Sequence, residues 1–257
     1  MKIARYIAHG SEHFGVVDGD NVTAIDGSIF DAEIQMTDHV HSLSDVKLLS
    51  PVMPGKILAM GLNYTSHIGD RPAPEYPMIF HKTPTSVIGP EDAIIRPKEV
   101  QRFDAEGEMV VVIKDKCRNV AKDDALNHVL GYTCGNDVSA RDWQQKDRRE
   151  NNSDWWRAKS ADTFSPMGPW IDTDADPAAQ HLRTRVNGNE EQNETTAHLI
   201  FDVPTMIEFI TKYVTLEAGD CIFTGTPGTT SDMADGAICE IDISGIGVLR
   251  NPVKLES

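Results

Sequence analysis

The sequence predicts an α+β fold rich in strands, with few helices and a small β-rich segment at the N-terminus. Three observations carry that expectation. Residues 103–113, FDAEGEMVVVI, place three acids at alternate positions ahead of an unbroken apolar run, the period of two that a strand imposes. The turn signals DGDN (18–21) and Asn187-Gly188 separate alternating stretches, as hairpin turns do. Helix-like periodicity is confined to short segments, the clearest being Ile200, Val203, Met206, Ile207 and Ile210 around a Pro204 start.

Taken in order, residues 1–52 read as a small β-rich domain. KIARYIAH and VTAIDG, with the DGDN turn, alternate enough to form a hairpin. His9, His13, His39 and His41 fall here with nothing converging on them, so surface or structural roles are expected. Residues 45–51 lead through Pro54-Gly55 into a new apolar strand, which sets the boundary; 53–257 form the second domain.

That strand, Lys56 to Met60, runs into GLNYTSHIGD. Gly61 and Asn63 mark a turn, and a short helix is expected from Thr65 or Ser66. His67 and Asp70, three apart, share a face of such a helix. A carboxylate beside an imidazole fixes its tautomer and raises its basicity, which suits activation of water. An ordinary helix-start His with a capping Asp is the alternative. DRPAPEYP (70–77) has three prolines and reads as an extended loop, placed to order over a bound substrate. MIFHK then forms a strand ending at Lys82.

Asp104, Glu106 and Glu108 point one way on a strand, together with Val110 and Val112. Two readings are open at this point. Either the strand starts in solvent, or the acids gather round a divalent cation that repays their mutual repulsion. After a helix-like segment over 122–130, with Ala125, Leu126, Val129 and Leu130 on one face, GYTCGNDVSARD reads as a returning strand. Its polar tip carries Asp137 to where it can meet Glu106 and Glu108. Farther on, QKDRRENNSDWWR (145–157) has no apolar period and reads as a surface loop or frayed helix. The small residues of Thr224–Gly228 let backbone donors and a hydroxyl approach a ligand, without the spacing of a phosphate-binding loop.

Composition narrows the function classes. A net charge of -16 over 257 residues argues against a nucleic-acid partner. It also requires any organic-acid site to supply positive charge locally. Four widely spaced cysteines, 117, 134, 221 and 239, are expected as buried free thiols. No signal peptide and no run of ~20 apolar residues is present, so a cytoplasmic protein with no membrane contact is expected. The Asn-x-Ser/Thr triplets at Asn63, Asn151 and Asn193 are then chance matches.

EGEMVVVI, GYTCGNDVSARDWQ and KSADTFSPMGPW resemble the fumarylacetoacetate hydrolase family, in separated motifs spread over residues 54–253. The resemblance implies a mixed β-strand roll with few helices, and commonly a homodimer. It implies Glu106, Glu108 and Asp137 as ligands of Mg²⁺ or Mn²⁺, with Ca²⁺ also suited to oxygen ligands, and Asp104 beside them. His67 and Asp70 match the family's base dyad, with Asp70 where the family carries Glu. Lys159 would pair with a substrate carboxylate or a developing enolate. Tyr64, Lys82, Arg141, Gln144 and Thr226 match pocket positions; for Lys82 a solvated lysine, and for Arg141 an ion pair with Asp142, are the structural alternatives. Ala237 replaces a usual acid, and the Lys114 region a common glycine.

The expected chemistry is metal-dependent cleavage of a C–C bond in a 2-oxo or 2,4-dioxo acid. The cation chelates the oxo-carboxylate and stabilises an enolate, while His67 activates water. An oxaloacetate-type decarboxylase or an isomerase would use the same enolate. A metal-binding scaffold without catalysis is the reading from another class.

Overall fold

The computed structural model of the chain describes residues 1–146 and 154–257. Strands dominate, and most belong to one 12-stranded mixed sheet. Neighbours in it run antiparallel except where Cys221–Phe223 lies beside Ile57–Gly61 and Val87–Ile88 beside Ser165–Asp172. A five-stranded sheet containing His181–Val186, Ile238–Ile243 and Gly247–Leu255 packs against it. The strand Gly107–Ile113 is buried on both faces. Met109, Val111 and Ile113 join Leu182, Ile241, Ile243 and Leu249 in the main core; Val110 and Val112 join Ile57, Ala59, Met167 and Phe223 in a second. Burial on both faces is why this strand reads as a continuous apolar run rather than an alternation.

The first four strands, Lys2–Ala8, Ser11–Asp18, Asn21–Asp26 and Gln35–Ser42, form an antiparallel meander. Lys2–Ala8 also pairs with Ser165–Asp172, so the meander extends the central sheet. The expected pairing of KIARYIAH with VTAIDG is corrected: Ser11–Asp18 lies between them and pairs with both. His9 and Gly10, with φ of 50° and 79°, turn the chain back before DGDN does.

The helix expected over 122–130 is a 3₁₀ helix, Lys122–His128, followed at once by the strand Val129–Asn136. Only Ala125 of its supposed apolar face is buried, and Leu126 is 46% exposed. The pairing of Val129 with Ile113 claims the rest of the segment for the sheet. Val203–Thr211 is helical as its periodicity predicts, burying Val203, Met206, Ile207 and Ile210. Its first turn is capped by Asp202, whose carboxylate accepts from Thr205 N at 2.9 Å. Asn187 and Gly188, both at positive φ, join His181–Val186 to Asn189–Thr195 as the hairpin signal requires. Most of the polar stretch 145–157, with the Asn151 triplet, lies outside the described residues; Trp155–Ser160 at its end is helical. All four cysteines are free and buried. Among the described residues no helix is long and apolar enough to cross a membrane.

Candidate active site

Strand register assembles the acids. Gly107 faces Asn136 and Glu108 faces Gly135, so the next residue of the return strand, Asp137, arrives beside Glu106. One backbone bond and one to a side chain fix the junction: Asp137 N donates to Glu106 O at 2.9 Å, and Glu106 N donates to Asn136 Oδ1 at 2.9 Å. One oxygen each from Glu106, Glu108 and Asp137 lies within 4.8 Å of the other two. These three residues are 1–4% exposed, so a strand that begins in solvent is overturned.

Two glycines make the approach possible. A Cβ on Gly135 would stand 2.4 Å from Val110 Cγ2 and 2.6 Å from Phe223. Gly225, at φ 99°, would set a Cβ 2.8 Å from that of Asn63; its own N–H reaches Glu108 Oε2 at 2.6 Å. The segment that follows Cys221–Phe223 is thereby anchored on the acidic strand.

Buried cations thread the cluster. Lys159 Nζ donates to Glu106 Oε2 and, at 2.5 Å, to Asp137 Oδ2. Lys82 Nζ donates to Asp137 Oδ1 at 2.5 Å and to the Lys159 carbonyl. Arg141 reaches Asp104 Oδ2 at 2.8 Å, Gln144 Oε1 at 3.0 Å and Glu106 Oε1. Asp104 also accepts from Arg102 at 3.0 Å and Thr230 at 2.6 Å. Asp104 is therefore the acid that orients Arg141, outside the group of three converging oxygens.

The acids differ in their electrostatics. Burial opposes the Glu106 charge, yet Arg141 and Lys159 hold its carboxyl far below the usual range. Burial, then the charges of Asp137 and Glu106, push Glu108 well above its ordinary 4.5. Burial opposes the charge on Lys159 too, but Asp137 and Glu106 raise it, so it stays protonated. Three carboxylate oxygens converge, and one of their acids is held off from ionising by its neighbours. A hard divalent cation fits them, since oxygens about 2.0–2.6 Å from a shared centre fall within that span.

Glu106, Glu108 and Asp137 line a cavity of about 280 Å³ with His67, Arg141, Gln144, Lys159 and Thr226. His67 Nδ1 lies 2.7 Å from Gly228 O. A carbonyl only accepts, so this nitrogen carries a proton, and in the neutral ring Nε2 is the acceptor. Thr226 donates its hydroxyl proton to Gly107 O at 2.9 Å and accepts from Gln192 Nε2 at 2.8 Å.

Four sequence expectations need correction. Asp70 makes no hydrogen bond or ion pair with His67 among the described residues, because the helical turn Thr65–Ile68 ends before it and Gly69 turns away at φ 61°. The shared helical face does not exist in this conformation. Tyr64 is fully buried and outside the cavity lining, its backbone bridged to Leu199, so it packs in the core rather than against a ligand. Lys82 is neither solvated nor part of that lining; it lies behind Asp137. Arg141 pairs with Asp104 and Glu106, while Asp142 accepts from Arg102 N.

Sequence reasoning missed Thr230, Gln192 and Arg102. Arg102 carries a signal, standing two before Asp104 and just ahead of its strand Phe103–Ala105, where an extended chain puts both on one side. Thr230 is 126 residues from the acid it contacts, and nothing local marks it.

Residues 56–254 match the family described as fumarylacetoacetate (FAA) hydrolase C-terminal, and residues 1–51 match Rv2993c-like, N-terminal. A mitochondrial oxaloacetate tautomerase of Xenopus laevis is 40% identical over 84% of this chain and 70% of its own. The structure of 5-carboxymethyl-2-hydroxymuconate delta-isomerase from Mycobacterium smegmatis superposes with a TM-score of 0.92 at 38% identity, both chains covered in full. That of maleylpyruvate hydrolase from Sphingobium sp. SYK-6, in complex with manganese(II) ion and pyruvate, gives 0.83 at 28% identity, again over both chains in full.

Proposed function

Because the chain belongs to the fumarylacetoacetate hydrolase family, we propose that it is a divalent-metal-dependent enzyme acting on a small 2-oxo acid through its enolate. One observation carries this reading: three buried carboxylates, a lysine and an imidazole with a free acceptor nitrogen line a single cavity.

Glu106, Glu108 and Asp137 would hold Mg²⁺ or Mn²⁺, and such an ion would supply Lewis acidity to the oxo-carboxylate and acidify the proton on the adjacent carbon. Lys159, kept protonated by Asp137 and Glu106, offsets the charge that develops on the oxygen. His67, with Nδ1 committed to Gly228, offers Nε2 to take that proton. Thr226 has its own proton engaged at Gly107 and accepts from Gln192, so its hydroxyl holds the cavity wall and is not a donor to the bound acid. Returning the proton to the 2-oxygen gives the enol; returning it to another carbon of a conjugated acid gives an isomer. Transfer by one base suits the present geometry, since Asp70 is not at hand to His67.

Hydrolysis of a C–C bond in a 2,4-dioxo acid is the second reading. It is supported by the likeness to maleylpyruvate hydrolase, whose structure contains manganese and pyruvate. There His67 would deprotonate water instead. Decarboxylation of an oxaloacetate-like acid shares the enolate.

The test offers oxaloacetate and an acylpyruvate to the protein with Mn²⁺ or Mg²⁺, with and without chelator. Chelator-sensitive loss of enol absorbance, without pyruvate or CO₂, is the expected result. Pyruvate released from the acylpyruvate would move the assignment to hydrolase, and CO₂ to decarboxylase. No turnover of any such acid would leave the metal-binding scaffold.

A further inference from the structure

Gln192 lies outside the cavity lining, yet it touches both halves of the site. It is the one buried residue of the strand Asn189–Thr195, whose other positions are exposed or half-buried. Its amide is used in full. Oε1 accepts from Gly107 N at 3.0 Å and from Thr184 Oγ at 2.6 Å. Nε2 donates to Thr226 Oγ at 2.8 Å and to Pro227 O at 2.6 Å. A backbone N–H only donates and a carbonyl only accepts, so these partners fix which end of the amide is which. Gly107 stands between Glu106 and Glu108, and a Cβ there would lie 2.1 Å from Thr184 Oγ, so only glycine admits this approach. Pro227 precedes Gly228, whose carbonyl accepts from His67 Nδ1 and whose N–H donates to Ser66 Oγ at 3.1 Å. One side chain thus spans the acidic strand and the loop that holds the imidazole.

We propose that Gln192 is a positioning residue: its amide holds Pro227 and Gly228 in place, so that His67 keeps its proton on Nδ1 and leaves Nε2 free at the cavity. The catalytic consequence rests on the reading of His67 as the base. The two ends of the bridge differ in stiffness. Gly107 opens a strand that is paired on both sides, with Val129–Asn136 and with Cys221–Phe223. Residues 224–230 belong to no strand or helix. Their start is pinned, because Thr224 N and Oγ both donate to Met109 O, at 3.1 and 2.9 Å. Without the amide, the part that shifts is therefore the Pro227–Gly228 half. A buried carbonyl left unpaired is unfavourable, and the loop relieves it only by moving. A base displaced by ~1 Å is enough to cost ~100-fold in rate. The carboxylates keep their places, since their strand does not need the amide for its pairing.

Three variants test this. Gln192→Met keeps the bulk and removes all four bonds. Gln192→Glu, which carries the test if Gln192→Met does not fold, keeps the acceptors facing Gly107 and Thr184 but loses at least one donor facing the loop. Thr184→Val is the control, since it removes a buried hydrogen bond from the oxygen end of the same amide. Nitrogen-15 NMR of His67 in Mg²⁺-loaded protein, at a pH where the ring is neutral, reads the tautomer without substrate. The ratio of Nδ1–H to Nε2–H is expected to fall ~10-fold in Gln192→Met, by less in Gln192→Glu, and not in Thr184→Val. Mg²⁺ affinity should stay within about threefold of the parent's, short of the ~10–100-fold that loss of a ligand's own partner costs. Gln192→Met should lower kcat ~10–100-fold in the parent, and less than about twofold in a His67→Ala background, where nothing is left to position. An unchanged ratio in both Gln192 variants, or an equal fall in Thr184→Val, overturns the assignment. So does a kcat loss of the same size with His67 absent. If the parent turns over no acid, the proposed reaction fails, and the tautomer ratio still decides the role of Gln192.

Discussion

Burial and the charges of Asp137 and Glu106 push the Glu108 carboxyl well above its ordinary range, a rise that Lys159 and the Gly225 amide only partly offset. The sign follows directly. A carboxyl raised above 4.5 favours the fold while protonated, and ionising it costs stability as pH climbs through the raised value. Metal-free protein should thus lose thermal stability as pH rises above 4.5 through the raised value, and a divalent cation should restore it. Metal uptake at a pH below the raised value should expel protons, read by calorimetry in buffers of different ionisation enthalpy at several pH values. Zero protons released at every pH would contradict a raised Glu108. Glu108→Gln mimics the protonated acid without changing shape; metal-free melting should hold and lose the pH dependence that Glu108 confers, while metal affinity drops at least ~100-fold. Lys82→Met acts the other way. It strips a buried cation from Asp137, and a loss of about 3–5 kcal/mol is expected in urea denaturation.

Whole elements carry other expectations. The segment 224–228 holds the acidic strand through Gly225 and Thr226, and Gly225 sits at φ 99° against Asn63. Gly225→Ala should cost about 1–3 kcal/mol and weaken metal binding, because the loop must retreat and Glu108 loses its donor. Metal affinity equal to the parent's would show that the amide does not matter. The turn Thr65–Ile68 separates His67 from Asp70. His67→Ala is expected to lower kcat by ~100-fold or more, whereas Asp70→Asn changes it less than about threefold. A large Asp70→Asn loss would mean that the turn lengthens when substrate binds and brings the pair together.

At the scale of the molecule, each 28.4-kDa chain is expected to pair with a second copy, which light scattering at micromolar concentration would detect as twice that mass. Much of this organisation is legible in the residues. Glu106, Glu108 and Asp137 stand out because alternation and a returning strand are local patterns, and backbone pairing turns them into neighbours. Lys159 stands out through the motif that surrounds it. The Leu126 face was misread because a 3.6-residue period in nine residues is also consistent with a 3₁₀ turn that feeds a strand. Thr230 and Gln192 carry no local mark at all, since their partners lie far away in sequence.

Local chemistry by itself determined that the chain is β-rich, that three acids flank one apolar strand pair, and that small residues follow Phe223. Only the tertiary structure decided which acid has its carboxyl raised, and that Lys82 supports Asp137 instead of meeting solvent. Those outcomes depend on burial and on which charges face each other across the sheet. Such quantities belong to the packed assembly of distant segments, and no window of sequence contains them.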